Sequence, residues 1–249
     1  MSISACCVKG FEWDGTPEGR IIAYPTASNQ AYVAGSNDNA AVMLIPDLFG
    51  WRYPNIRLLA DHLAREVEAT VYVPDFFNGE TLNYDALERT AFDEIDLHGF
   101  VSRHSREIRE PEILACARKL RAEYSKFGAI GYCYGGWAVF RLAAAEHKEL
   151  VDCVIAGHPS LLTKDDIDHA AAPVQIQAPE IDAAYTAELK EHTFKTLQAN
   201  GVMFDYQYFP GVEHACLTRG SPKIERERDA MARGKNAAVA WFRQFLKAE

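Results

Sequence analysis

The amino-acid sequence predicts an α/β protein with a mostly parallel central sheet and helices on both faces. Two continuous apolar runs, residues 41–45 and 69–73, have the composition of strands that are buried on both faces. A helical periodicity that begins at Pro54 separates them. This alternation is typical of parallel strands joined by crossover helices. A third observation, a glycine-rich turn between strand and helix at residues 131–136, fits the same architecture.

The remaining elements follow in order along the chain. Before residue 35, alternating polar and apolar residues between turns predict short antiparallel strands at one edge of the sheet. Further apolar runs predict strands at 127–130, 153–156, 173–177 and 204–209, and helical periodicity predicts helices at 113–124, 187–197 and 230–246. No linker or repeat interrupts the pattern, so we expect one domain over residues 1–249.

Composition and charge exclude several classes of function. Of the 249 residues, 48% are hydrophobic and 24% charged, which is ordinary for a globular protein. The net charge of −9 argues against nucleic acid or an acidic membrane as partner. No apolar run is long enough to span a membrane, and the N-terminus lacks the pattern of a signal peptide, so we expect a cytoplasmic protein. Both a monomer and a homodimer remain open.

The cysteines point to free thiols. None of the six forms a C-x-x-C pair, and their spacing fits neither a zinc site nor a disulfide framework. We therefore expect reduced thiols and no metal. Cys116 and Cys153 fall in core-like patterns, whereas Cys6 and Cys7 have no assigned role.

Cys133 occupies the centre of residues 131–136 (GYCYGG), which have the form of the nucleophile elbow G-x-S-x-G with cysteine in place of serine. Such a turn needs glycine at Gly131 and Gly135, because a Cβ atom there would clash with the flanking strand and helix. The turn raises the thiol above the sheet at a helix N-terminus, where a thiolate is stabilised. The alternative is a buried structural cysteine.

Four turns that follow predicted strands carry reactive residue types, namely Asp47, Cys133, Asp182 and His214. The carboxyl ends of parallel strands meet at one edge of a sheet, so these side chains are expected to converge. Nucleophile, acid and histidine follow one another in the order found in α/β-hydrolases. The imidazole takes the thiol proton and returns it to the leaving group, and the carboxylate orients the ring.

Alternatives remain open at these positions. Glu180 competes with Asp182 as the acid, and Asp182 alone is also an ordinary helix N-cap. His214 alone, beside a Pro-Gly turn, is also interpretable as a surface histidine. We interpret His158, which precedes Pro159, as a hydrogen-bonded structural histidine rather than a base.

Several segments resemble the dienelactone hydrolase (carboxymethylenebutenolidase) family. They are residues 131–136, the turn at 49–50 and residues 208–214 (YFPGVEH). The fungal branch has similar versions of residues 13–17 (WDGTP), 55–61 (NIRLLAD), 73–77 (VPDFF) and 178–180 (APE). The resemblance covers nearly the whole chain. It implies an α/β-hydrolase fold, a Cys-Asp-His triad and hydrolysis of esters or lactones without a cofactor.

The resemblance also implies residue roles. Cys133 would be the nucleophile, Asp182 the acid and His214 the base. The backbone N–H groups of Leu48 and Tyr134 would form the oxyanion hole.

Two departures from the bacterial members concern the substrate site. Asp47 stands where they have a glutamate that holds the thiol proton. Thr218 stands where they have an arginine that binds the substrate's carboxylate, and Arg219 comes one residue later, as in fungal relatives. Asp47 and Arg219 are therefore candidates for thiol gating or substrate binding, with a surface arginine as the alternative for Arg219. After the histidine, Ala215 and Cys216 replace the glycine and larger apolar residue of many relatives.

Residues 76–109 break the alternation of strands and helices, and we expect them to lie over the active site. Their aromatic residues would form an apolar part of that site: Phe76, Phe77, Tyr84, Phe92 and Phe100. The leading hypothesis is a cysteine-dependent hydrolase that forms a thioester with a small ester or lactone. The alternatives are acyl transfer or lactone closure in a secondary-metabolite pathway, a non-catalytic ligand-binding module, and a thiol-redox role that involves Cys216.

Overall fold

The computed structural model describes residues 10–84, 86, 91 and 94–247; Cys6, Cys7 and Phe92 lie outside these residues. In the described part of the chain, eight strands form one sheet in the order β1-β2-β4-β3-β5-β6-β7-β8. The strands are β1 Arg20–Ile22, β2 Ala31–Ala34, β3 Ala40–Ile45, β4 Thr70–Pro74, β5 Lys126–Tyr132, β6 Cys153–Gly157, β7 Val174–Ile181 and β8 Phe204–Glu213. Strands β1 and β2 are antiparallel, and all pairings from β4 to β8 are parallel. The predicted fold class is confirmed.

Helices cover both faces of this sheet. Their bounds are α1 Pro54–Val67, α2 Leu97–Arg103, α3 Arg106–Glu123, α4 Gly135–Leu142, α5 Lys164–Asp168, α6 Ala187–Ala199, α7 Cys216–Arg219 and α8 Glu225–Leu246. On one face, α1 and α8 bury side chains such as Leu63 and Phe242. On the other face, α3 and α4 bury Leu120 and Phe140. The sheet is therefore the central layer between two hydrophobic cores.

The order of the strands brings five strand ends together. Strand β5 pairs with β3 on one side and with β6 on the other, and β7 and β8 follow. Because these strands are parallel, the turns after their carboxyl ends lie in succession along one edge of the sheet.

Several elements are longer than the sequence predicts. Helix α3 begins at Arg106 rather than 113, and α8 at Glu225 rather than 230. The first turns of both helices are charged and largely exposed, so they lack the apolar periodicity that marks a helix. Strand β8 continues through Pro210. A proline is tolerated there because β8 is the edge strand and its outer side needs no donor.

The elbow requires glycines because other backbone groups lie too close to these positions to leave room for a Cβ atom. A Cβ atom at Gly131 would overlap the carbonyl of Gly135, and one at Gly135 would overlap the carbonyl of Ile45 on β3. Gly201, by contrast, has open space around a left-handed φ of 67°.

We therefore expect Gly135→Ala to lower the free energy of unfolding by about 3 kcal/mol or more, because a strand carbonyl cannot move aside. Gly201→Ala is the control, with a cost of about 1 kcal/mol from backbone conformation alone. Urea unfolding measures both. Equal losses in the two variants would contradict the close approach at Gly135.

Candidate active site

The elbow holds Cys133 in a left-handed conformation between β5 and α4. Its φ is 49°. The Cys133 N–H donates to the carbonyl of Gly157 at 3.0 Å, and its own carbonyl accepts from the N–H groups of Ser160 at 2.8 Å and Gly136 at 2.9 Å. Three hydrogen bonds thus stabilise a backbone conformation that is otherwise unfavourable. The side chain is fully buried.

The structure brings His214 and Asp182 together. His214 Nδ1 lies 2.9 Å from Asp182 Oδ2, and both side chains are fully buried. The other carboxylate oxygen accepts the N–H groups of Ala184 and Tyr185 at 2.8 and 2.9 Å. A carboxylate oxygen accepts hydrogen bonds, so Nδ1 donates to Asp182 and Nε2 points to the opposite side of the ring, toward Ser160. The arrangement fits a base with an orienting acid, and a surface position for His214 is wrong.

Ser160 stands between the thiol and the imidazole. Its Oγ lies 3.3 Å from Cys133 Sγ and 3.4 Å from His214 Nε2. Our sequence analysis assigned it no role. A signal was nevertheless present, because residues 157–160 (GHPS) follow β6, the strand next to β5. The rule that reactive groups lie after strand ends could have identified this serine.

Asp47 and Arg219 form a buried ion pair beside the elbow. Arg219 Nε lies 3.0 Å from Asp47 Oδ2, and the guanidinium lies over the Phe49 ring at 3.9 Å from its centroid. The Thr218 hydroxyl donates to the same carboxylate oxygen at 3.1 Å, and Asp47 Oδ1 accepts the N–H of Phe49 at 2.9 Å. Arg219 is only 2% exposed. The surface-arginine alternative is therefore wrong.

Arg219 reaches this position through α7, a short helix that the sequence does not predict. Its N-cap is Ala215, which has a φ of 71°. This left-handed conformation favours glycine, the residue that the family resemblance leads one to expect there. Alanine accepts the conformation at a cost of about 1 kcal/mol. The tight turn directs the chain from His214 back toward Asp47.

The remaining candidates are placed apart from this arrangement. Glu180 is exposed and accepts the N–H of Gly211 at 2.6 Å, whereas Asp182 contacts His214. Cys216 is buried with its sulfur 4.0 Å from the Glu227 carbonyl. Burial, followed by the charge of Glu227, raises the pKa of its thiol to about 12. A thiol of that acidity is a poor redox partner at neutral pH.

His158 is buried against the ring of His214. The two ring centroids are 4.9 Å apart with the planes at 66°. Among the described residues, neither ring nitrogen of His158 has a hydrogen-bond partner, so the predicted hydrogen bonds of this side chain are wrong. The backbone N–H instead donates to the carbonyl of Gln177 at 2.8 Å. Burial, together with the charges of His214 and Arg219, holds the pKa of His158 well below its usual value.

The two oxyanion-hole candidates occupy neighbouring turns. Leu48 lies after β3, and Tyr134 lies in the elbow after β5, the strand that pairs directly with β3. The Tyr134 hydroxyl donates to the carbonyl of His104 at 2.7 Å, and this bond holds the Tyr134 side chain against the segment after β4. The role of their N–H groups stays a prediction.

The segment after β4 packs on the elbow. The Phe77 ring lies 5.1 Å from that of Tyr134 and 5.0 Å from that of Phe100, measured between centroids. Tyr84 donates a hydrogen bond to the carbonyl of Phe49. Phe76, Phe77 and Phe100 are all buried. The described aromatic residues of this segment thus cover the turns after β3 and β5.

Metal ligands and membrane spans were searched for over the described residues. Within them, no three or more His, Cys, Asp or Glu side chains are grouped so that they could hold a metal ion. No helix of the same residues is long and apolar enough to cross a membrane.

Comparison with known proteins identifies the family of this chain. The model of the dienelactone hydrolase family matches residues 30–246. The chain belongs to the dienelactone hydrolase family. Family membership supports a hydrolase of small esters or lactones.

Relatives extend over most of the chain. Hydrolase tropI of Talaromyces stipitatus is 27% identical over 98% of this chain and 96% of its own length. The carboxymethylenebutenolidase homolog of Mus musculus is 28% identical over 80% of this chain and 83% of its own. Among solved structures, a dienelactone hydrolase-like promiscuous phosphotriesterase from metagenomic libraries has a TM-score of 0.71 at 18% identity and covers 94% of this chain and 100% of its own. That likeness shows the fold.

We expect Asp47→Asn and Arg219→Met each to lower the free energy of unfolding by about 3 kcal/mol or more, because each removes the opposite charge from a buried charged group. The double variant should lose about 2 kcal/mol less than the sum of the single losses, since it removes both groups. Glu191→Gln, in the exposed pair with Lys195, is the control and should cost under about 1 kcal/mol. Chemical unfolding measures the four variants, and additive losses would contradict the pair.

The lowered pKa of His158 predicts acid sensitivity. The unfolded chain protonates this group at its ordinary value of about 6.5, whereas the folded protein keeps it neutral, so stability falls as the pH drops below that value. Between pH 7 and 5.5 the loss from one such group is about 1 kcal/mol. His158→Phe should remove that part of the pH dependence, and exposed His98→Gln should not. Burial also lowers the pKa of His104, and the contribution of this residue to the pH dependence of stability stays the same in every variant. An unchanged pH dependence in His158→Phe would contradict the assignment.

Proposed function

We propose that this protein is a cysteine-dependent hydrolase of a small ester or lactone, with Cys133 as nucleophile, His214 as base and Asp182 as orienting acid. One observation carries the proposal. Along one edge of the sheet, a fixed carboxylate bonds one imidazole nitrogen, and the other nitrogen faces the Ser160 hydroxyl that contacts the elbow thiol. A structural cysteine needs none of these partners.

The reaction we propose has two halves. His214 takes the thiol proton, and the thiolate attacks the carbonyl carbon of the ester. The oxyanion that forms is stabilised by the N–H groups of Leu48 and Tyr134. Collapse to a thioester releases the alcohol, which takes the proton from His214. Water, deprotonated by the same imidazole, then hydrolyses the thioester and restores the thiol.

The buried ion pair suggests the charge of the substrate. Arg219 is a fixed cation over Phe49, and its carboxylate partner Asp47 stands at the end of β3, next to the elbow strand. A substrate carboxylate that replaces Asp47 as partner of Arg219 would keep the guanidinium paired. Asp47 would meanwhile retain the hydrogen bonds from Thr218 and Phe49. Release of Asp47 would at the same time free it to interact with the thiol. We therefore propose a small anionic substrate, with Asp47 and Arg219 as its binding or gating residues.

Acyl transfer or lactone closure is a second candidate, which the burial of the site favours. Cys133 is fully buried and His214 is 3% exposed, so little water reaches a thioester at this position. An internal hydroxyl group of the substrate would then compete well with water. Product analysis separates the two: hydrolysis yields a free acid, whereas closure yields a new ring.

We expect Cys133→Ala to abolish turnover while the fold survives. Intact-protein mass after brief mixing with p-nitrophenyl acetate, and separately with a dienelactone, should show a transient acyl adduct on the wild type and none on the variant. Cys116→Ala is the control, since burial raises the pKa of that thiol to about 12 and its sulfur, on α3, contacts the carbonyl of Pro25. Full turnover in Cys133→Ala would overturn the proposed function.

A further inference from the structure

A serine hydroxyl lies between the thiol of Cys133 and the imidazole of His214. Cys133 Sγ, Ser160 Oγ and His214 Nε2 form a chain with separations of 3.3 and 3.4 Å. A hydroxyl both donates and accepts a hydrogen bond, so it can accept from the thiol while it donates to a neutral ring nitrogen. The three atoms lie in a buried part of the molecule, where a hydroxyl is retained only when it is satisfied.

Backbone hydrogen bonds fix the position of Ser160. Its N–H donates to the carbonyl of Cys133, and the Cys133 N–H donates to Gly157 in the same turn. The two turns are thus bonded to each other in both directions. Between them, Pro159 packs so closely against Gly136 that a Cβ atom at that glycine would overlap it. Ser160 therefore keeps a fixed distance from the thiol.

We propose that Ser160 relays the proton from Cys133 to His214. The inference rests on the proposed function, because it assumes that Cys133 attacks the substrate. The S–H bond breaks as an O–H bond forms on Ser160, and the original O–H bond of Ser160 breaks as an N–H bond forms on Nε2. One proton moves in total, from sulfur to nitrogen, and the serine ends unchanged. No oxidant or co-reactant is needed.

The same contacts raise the question of whether Ser160 is itself the nucleophile. Its hydroxyl contacts the imidazole, as a serine nucleophile would. However, Ser160 follows β6 in an irregular turn, and the next helix begins only at Lys164. Cys133 instead lies at the strained turn that leads directly into α4, at the N-terminus of that helix, where a thiolate is stabilised. The geometry assigns attack to the sulfur and proton transfer to the oxygen.

Three variants at one position test the relay. Ser160→Ala removes the hydroxyl, and Ser160→Thr keeps it. Ser160→Val has the shape of threonine without the hydroxyl, and it fills the space that a water molecule would otherwise take. The measurement is the rate of alkylation of Cys133 by iodoacetamide between pH 5.5 and 9, with the modified peptide identified by mass. Access of iodoacetamide to the buried sulfur affects the size of the rate, whereas the pH dependence of the rate reports the thiolate, and neither depends on an ester substrate.

We expect Ser160→Ala and Ser160→Val to lower the alkylation rate of Cys133 at pH 7 about tenfold, with a pH dependence like that of an ordinary thiol. Turnover of p-nitrophenyl acetate should fall about a hundredfold in both. Ser160→Thr should restore the alkylation rate and its pH dependence. A merely structural serine would change thermal stability without separating threonine from valine. If Ser160→Ala does not fold, the difference in alkylation of Cys133 between Ser160→Thr and Ser160→Val tests the relay.

Two outcomes would overturn the relay. One is a wild-type alkylation profile in Ser160→Ala, or equal profiles in the threonine and valine variants. The other is an acyl adduct that maps to Ser160 instead of Cys133. The experiments test the relay and the proposed function separately. Turnover in Cys133→Ala would refute the proposed function. Activity that requires Cys133 but is unaffected by loss of the serine hydroxyl would refute only the relay.

Discussion

The backbone of Cys133 has a φ of 49°, and the rest of the site depends on the hydrogen bonds that keep it there. This conformation costs a non-glycine residue about 1 kcal/mol. The residue is nevertheless held, because its N–H and its carbonyl both bond to the turn after β6, and its carbonyl also bonds to the first turn of α4. The same bonds set the distance from the thiol to Ser160. The same hydrogen bonds therefore hold the strained backbone of Cys133 and position Ser160 beside its thiol.

Much of the fold could be predicted from the sequence because its signals are local. Residues 41–45 are apolar without interruption because β3 is buried on both faces, and Pro54 begins α1 as its fixed φ favours. The elbow is equally local, since its glycines are required by contacts within the turn and with the adjacent strand. The order of acid and histidine was a usable signal because parallel strands send all their ends to one edge.

The rest depends on contacts between distant parts of the chain, which no local pattern contains. The sequence around Arg219 is compatible with a surface position. In the structure, α7 places this residue against Asp47, which follows β3 and lies far from it in sequence. Ser160 is an ordinary turn residue until the pairing of β5 with β6 brings it to the thiol. His158 has no hydrogen bond from its ring to any described residue, and sequence alone cannot distinguish such a histidine from a bonded one.

The burial of Cys133 bears on the chemical lifetime of the protein. Peroxide oxidises a thiolate stepwise to sulfenic and then to irreversible sulfinic and sulfonic acids, and it must reach the sulfur to do so. Cys133 has no surface open to solvent, and the Phe77 ring packs on Tyr134, the next residue of the elbow. Oxidant therefore reaches the sulfur only when the surrounding side chains move, which a substrate of the proposed reaction would also require. The sulfur that we propose as the nucleophile is oxidised more easily than a serine hydroxyl would be, and the packing around it protects it from oxidants.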